Sequence, residues 1–291
     1  MTEATTLVEP TDLISTDAEP LPRNAPAELY LGLLKKVLVN WVYGEYECDT
    51  RVPRNRWKRP VWLFLRRNGI LLSRVGRFDR TKREVGIDWP PFAHSMVGLR
   101  RLDSLHRCIE DVLHSNVPGD LIEVGAWRGG ASILMRGALD AYGDKERLVW
   151  VADSFEGLPK PDKEMYPADA GDIHHVFSNL AVSLDEVKRN FSLYDLLDDR
   201  VRFLKGWFAD TLPTAPINRL SILRLDGDMY GSTMQALSAL YHKLSVGGYC
   251  IIDDYHLKGC RTAVHDYRSQ HAIEDPIERI DELSVLWKRR D

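Results

Sequence analysis

Residues 120–132 read DLIEVGAWRGGAS. A short apolar run, broken only by Glu123, gives way to glycines at 125, 129 and 130 and then to the helix-like segment ASILMRGALDAYG. That order is strand, tight turn, helix. The glycines let the backbone turn sharply and approach a ligand, and the helix start favours negative charge. The same alternation continues downstream. Strand-like runs LVWVAD, VRFLKG, LSILRLD, YCIIDD and LSVLWK are separated by helix-like SLDEVKRNFSLY, TMQALSALYHKL and CRTAVHDYRSQHA. Strands this continuously apolar, alternating with helices, predict an α/β fold: a mostly parallel sheet with helices on both faces. Ligands of such sheets bind beyond the carboxyl ends of the strands.

At the end of the first strand the pattern is not GxGxxG. Glu123, two residues before Gly125, would repel a pyrophosphate but suits a ligand with a cationic amino acid portion, such as S-adenosylmethionine. Ser132 lies in the first turn of the helix that follows. Asp153 closes the second strand, where an acceptor can take both ribose hydroxyls, with Ser154 beside it. Gly206 and Trp207 follow the third strand, where an adenine wall would be needed. The long Pro-, Asp- and Gly-rich segment after Asp153 reads as a lid, and His174 and His175 within it read as exposed polar residues.

The fourth strand runs into LRLDGDMYGST, Leu223 to Thr233, and the fifth into IIDDY. Asp226 and Asp228, then Asp253 and Asp254, therefore sit at the ends of strands about 5 Å apart. Helix caps would account for one aspartate per helix, not for two pairs. Converging carboxylates need a cation or a proton to offset their repulsion. An oxygen-only ligand set without His or Cys favours Mg²⁺. The expected roles are Asp226, Asp253 and Asp254 on the metal and Asp228 as general base. Within each pair the roles could be exchanged.

The 291 residues allow one large domain with extensions. A net charge of -4 argues against a dedicated nucleic-acid binder. Cys48, Cys108, Cys250 and Cys260 form no CxxC pair and read as reduced, mostly buried thiols. Residues 1–26 are too polar to order and are expected to be a disordered tail; they lack the pattern of a signal peptide. No run has the length of a membrane span, so a cytoplasmic location is expected. Ala27 to Tyr43 predicts an amphipathic helix. Between Arg51 and Arg83 twelve Lys or Arg residues accompany a single acid, Asp79. We read 27–100 as a helical, basic extension or cap and 101–291 as the catalytic domain.

Taken together these stretches resemble the macrocin O-methyltransferase (TylF-like) family, whose members methylate sugar hydroxyls of antibiotics with S-adenosylmethionine and Mg²⁺. The resemblance is carried by AHSMVGLRRLDSL, VPGDLIEVGAWRGGASILMRGAL, VWVADSFEGLPKPD, LAVSLDEVKRNFSLYDLLDD, FLKGWFADTLPTAPI, LRLDGDMYGST, LSVGGYCIIDDY and GCRTAVHDYR, from about residue 85 almost to the C-terminus. It implies a class I methyltransferase fold with a seven-stranded sheet, a homo-oligomer, and a small glycosylated acceptor. It maps the family's metal aspartates onto Asp226, Asp253 and Asp254 and its proposed base onto Asp228. The chain departs from the family at Gly231, where Glu is usual, at His265, where Asp is common, and in the length of its basic stretch. Two other readings compete. The DGD triplet also fits the DxD pattern of metal-dependent glycosyltransferases, and a methyltransferase-like scaffold could bind a partner without catalysis.

Overall fold

A computed structural model of the chain describes residues 25–43, 46–49, 57–70, 72 and 74–291. Of the tail expected to be disordered, residues 1–24 lie outside the described residues, as do residues 51–56 of the basic stretch and the side chain of Cys48. The other three cysteines are free and buried.

Residues 25–85 hold α1 (Ala25–Leu38), β1 (Tyr46–Asp49), α2 (Arg59–Arg67), β2 (Arg74–Arg77) and α3 (Arg80–Val85), with β1 and β2 paired as an antiparallel ribbon. The first helix stops at Leu38 rather than at the predicted Tyr43, because Asn40 adopts a left-handed φ of 54° that ends a right-handed helix. Its Leu31, Leu34 and Leu38 are buried in the same cluster as residues of the main body, so it packs as part of one core. Next come α4 (Leu99–His114), β3 (Asp120–Val124), α5 (Gly130–Ala141), β4 (Val149–Asp153), α6 (Leu184–Ser192), β5 (Val201–Lys205) and α7 (Phe208–Thr211). The chain ends with β6 (Leu220–Leu225), α8 (Tyr230–Leu240), β7 (Leu244–Ile252), α9 (Lys258–Gln270), β8 (Glu278–Arg279) and β9 (Val285–Lys288).

Seven strands form one sheet in the order β5-β4-β3-β6-β7-β9-β8. The first five of that order are parallel neighbours, and β9 runs antiparallel to both β7 and β8. Successive strand residues point to opposite faces, and the buried side chains divide accordingly. Leu121, Val149, Val151 and Ile222 join a core with α1, α4, α5 and α6. Ile122, Val124, Trp150, Ala152, Leu223 and Leu225 join a second core with α8 and α9. Both faces are covered, which is why these strands lack polar alternation. The fold is that of a class I methyltransferase, as expected.

After β3 the chain moves outward through β4 and β5 and then returns to β6 on the other flank of β3. The crevice at this reversal, between the carboxyl ends of β3 and β6, is where a sheet of this kind binds ligands.

Candidate active site

Each predicted site residue lies at a carboxyl end of the sheet. Gly125 follows β3 directly with φ 92°, its N–H donating to the Ala152 carbonyl at 2.8 Å. A Cβ there would lie 1.8 Å from the Asp226 carbonyl oxygen. Only glycine lets the ends of β3 and β6 approach so closely. Gly125→Ala is therefore expected to cost at least about 1–3 kcal/mol from backbone strain alone and to displace Asp226. A thermal melt within experimental error of wild type would refute that.

Glu123, read from the sequence as facing a ligand's ammonium group, has both carboxylate oxygens engaged inside the protein. One accepts from Arg224 Nη1 at 2.6 Å, the other from the Ser132 backbone N–H at 2.9 Å and from the Ser132 hydroxyl. Burial lifts its pKa to about 7, against the opposing pull of Arg224. Glu123 and Ser132 thus tie β3 to the first turn of α5. Asp153 likewise joins two loops: its oxygens accept from the backbone N–H groups of Ala126 (2.8 Å), Trp127 (3.3 Å) and Phe155 (2.7 Å). Burial raises its pKa. The Ser154 hydroxyl closes its own turn onto the Gly157 carbonyl at 2.6 Å. The Gly206 N–H donates to the Asp153 carbonyl at 3.0 Å, and Trp207, the next residue, is 40% exposed.

At the other end of the crevice the structure brings one aspartate of the first pair to both of the second and sets the fourth aside. Among the described residues Asp226, Asp253 and Asp254 form the acidic group able to hold a metal, each offering a carboxylate oxygen within 4.8 Å of the others. Asp228 stands outside this group. It takes a left-handed φ of 56°, and its backbone N–H donates to Asp254 Oδ2 at 2.9 Å. Its carboxyl is pushed up to about 8 by burial and by the charges of Asp226, Asp172 and Asp253. Burial and carboxylate neighbours also raise Asp226 and Asp254, which lie close enough for one carboxyl to hydrogen-bond the other.

Two arginines, neither singled out from the sequence, stabilise this cluster. Arg224 projects from β6, 2% exposed, and reaches Glu123, Asp253 (2.7 Å) and Asp226 (2.9 Å). Arg101, from α4, donates to the other Asp253 oxygen, pairs with Asp281 at 3.3 Å and donates to the Gly86 carbonyl at 3.0 Å. These guanidinium groups hold Asp253 below the usual carboxylate range despite its burial. Glu123, Asp226, Asp228, Asp253 and Asp254 still outnumber the two arginines. That excess of carboxyl groups over guanidinium groups, and an all-oxygen donor set within 4.8 Å, fit a hard divalent cation, which would take the place of the protons these carboxyls otherwise hold. Arg224 was legible in principle, since a charge inside an apolar strand must be paired. Arg101 was not, because nothing local distinguishes it from Arg100.

The macrocin-O-methyltransferase (TylF) family model matches residues 27–289. The chain is 49% identical over 262 residues to 8-demethyl-8-(2,3-dimethoxy-alpha-L-rhamnosyl)-tetracenomycin-C 4'-O-methyltransferase of Streptomyces olivaceus, covering 90% of this chain and 92% of that one. It is 47% identical to mycinamicin III 3''-O-methyltransferase of Micromonospora griseorubida, covering 90% and 96%. Among solved structures, that of the O-methyltransferase NovP superposes with a TM-score of 0.79 at 46% identity, covering 91% of this chain and all (100%) of NovP.

Proposed function

Since the chain belongs to the macrocin O-methyltransferase (TylF) family, and is an O-methyltransferase, we propose that it methylates a sugar hydroxyl of a glycosylated natural product, with S-adenosylmethionine as donor and Mg²⁺ as cofactor. The observation that carries this reading is the meeting of Asp226, Asp253 and Asp254 from two strand ends, with Asp228 beside them. Two sugar O-methyltransferases of antibiotic pathways are relatives, one named for a 4' and one for a 3'' position, so the position methylated here does not transfer from them. The proposal extends to a cytoplasmic homo-oligomer that acts on no nucleic acid. Among the described residues no helix is long and apolar enough to cross a membrane. The glycosyltransferase and scaffold readings give way to the family membership.

In this reading Gly125, Asp153, Ser154, Gly206 and Trp207 shape the donor side, with Asp153 turned to the ribose and Trp207 to the adenine. Glu123 and Ser132 hold that side in place through their mutual hydrogen bonds. Asp226, Asp253 and Asp254 would hold Mg²⁺, which when bound lowers the pKa of a nearby hydroxyl and orients it. Asp228 takes the proton of the acceptor hydroxyl. The oxygen then bonds to the donor's methyl carbon while the sulfur keeps the electron pair of the bond that breaks. Arg224 and Arg101 keep Asp253 ionised.

Chelation tests the metal. EDTA should abolish turnover and Mg²⁺ should restore it, whereas full activity in chelator would sink the cation. A second readout needs no substrate. Asp226, Asp228 and Asp254 have raised pKa values when folded, so the folded state holds protons that the unfolded chain releases above about pH 4. Their contribution to stability therefore falls as pH rises from about 4 towards 8. Asp253, held low, contributes in the opposite sense, and that contribution is complete above the ordinary carboxylate pKa. Added Mg²⁺ should raise Tm more at pH 8 than at pH 6; equal shifts would refute this account.

A further inference from the structure

The loop between β4 and α6, residues 154–183, crosses the carboxyl edge of the sheet and is pinned there. Its 3-10 turn at Pro167–Asp169 packs against both α8 and α9. Asp169, 3% exposed, accepts the N–H of Tyr230 at 2.6 Å and that of Gly231 at 2.9 Å, the first two residues of α8. Helix starts leave such N–H groups without partners and favour a carboxylate.

The floor of this seat is made of glycine. A Cβ on Gly231 would lie 2.7 Å from the Tyr166 ring and 3.3 Å from Asp169 Oδ2, and one on Gly259, in the first turn of α9, 3.0 Å from Asp169 Oδ1. The two helices gripped in this way follow the two aspartate pairs. Three residues past Asp169, Asp172 comes near enough for its charge to act on Asp228. Asp172 in turn holds His174, whose Nδ1 lies 2.6 Å from Asp172 Oδ2; His174 is thus not a free loop residue. Farther on, the Phe177 ring meets Trp89 edge-on at 5.6 Å, closing the loop against the segment before α4.

We infer that Asp169 is a positioning residue that clamps loop 154–183 across the acceptor side of the site, setting Asp172, with His174 held on it, toward Asp228, and that Gly231 makes room for the clamp. The inference rests on the reading of Asp228 as the edge where the acceptor is deprotonated. Its closing experiment has a readout independent of that reading.

Three variants of the full chain test it: Asp169→Ala, Gly231→Glu and the double variant. Gly231→Glu returns a carboxylate to the start of α8 but fills the space of Tyr166. In Asp169→Ala, amide hydrogen exchange across 154–183 should rise about tenfold, with S-adenosylhomocysteine affinity unchanged and the acceptor KM raised by a similar factor. In the double variant Tm should recover, because α8 is capped again, while exchange and KM stay as in Asp169→Ala. Wild-type exchange in Asp169→Ala would overturn the clamp. Recovery of exchange and KM together with Tm in the double variant would reduce Asp169 to a helix cap and overturn it equally. Exchange is measured without acceptor or turnover, so a wild type that fails to methylate would count against the proposed function and leave the clamp to be judged on exchange.

Discussion

Asp228→Asn should lower kcat by about 10²–10⁴-fold, the usual worth of a general base, while S-adenosylhomocysteine binds as it does to wild type. The substitution is close to isosteric, and asparagine tolerates the left-handed φ of 56° that Asp228 adopts. The link to Asp254 survives as well, because its donor is the Asp228 backbone N–H. What disappears is the proton acceptor alone. Wild-type activity should rise with pH as the carboxyl, lifted to about 8 by burial and neighbouring carboxylates, loses its proton; a cation on the adjacent trio would move that rise to lower pH. The variant should lack the rise. Near wild-type turnover with an unchanged pH profile would remove Asp228 from the chemistry.

Arg224→Met should cost stability rather than one catalytic step. The guanidinium is buried and reaches Glu123, Asp226 and Asp253 at once, so methionine keeps much of the bulk and leaves three carboxyls without their common counter-charge. Breaking a buried ion pair from one side costs about 3–5 kcal/mol, and a chain of this size should lose roughly 6–20 °C of Tm. Added Mg²⁺ should recover part of the loss by neutralising the same carboxyls. Arg224→Lys should fall between the two, since one ammonium cannot span three partners in the planar fork of arginine. A melt within 2 °C of wild type, about the resolution of a stability change below 1 kcal/mol, would show that the carboxylates compensate one another without it.

The competing readings of the DGD triplet illustrate how much a short motif can carry. Its spacing alone admits a glycosyltransferase, a metal site and a pair of caps. In the structure Asp226 meets Asp253 and Asp254 while Asp228 stands outside that trio with a left-handed φ, and from this arrangement we propose a metal trio with a neighbouring base. That division depends on a single left-handed residue, since Asp226 and Asp228 are otherwise identical side chains two positions apart.

The seven-stranded α/β architecture, the edge of the sheet that carries the site, and the presence of two aspartate pairs at neighbouring strand ends were written in the linear sequence. Apolar runs of strand length, glycines at strand ends and helical periodicity are local properties, and a parallel sheet turns them into a crevice at one edge. Which partners each charge would find was not local. Glu123 faces Arg224 and Ser132 because β3, β6 and α5 meet there. Arg101 reaches Asp253 across 152 residues, and Asp169 seats on α8 across 61. Hydrophobic patterning reports which faces are buried, whereas ion pairs and caps depend on atoms brought within about 3 Å by the packing of distant segments. The sequence therefore determined the frame and the chemical type of the site; the tertiary structure alone decided which three carboxylates meet, which arginines pair with them, and what fastens the loop above them.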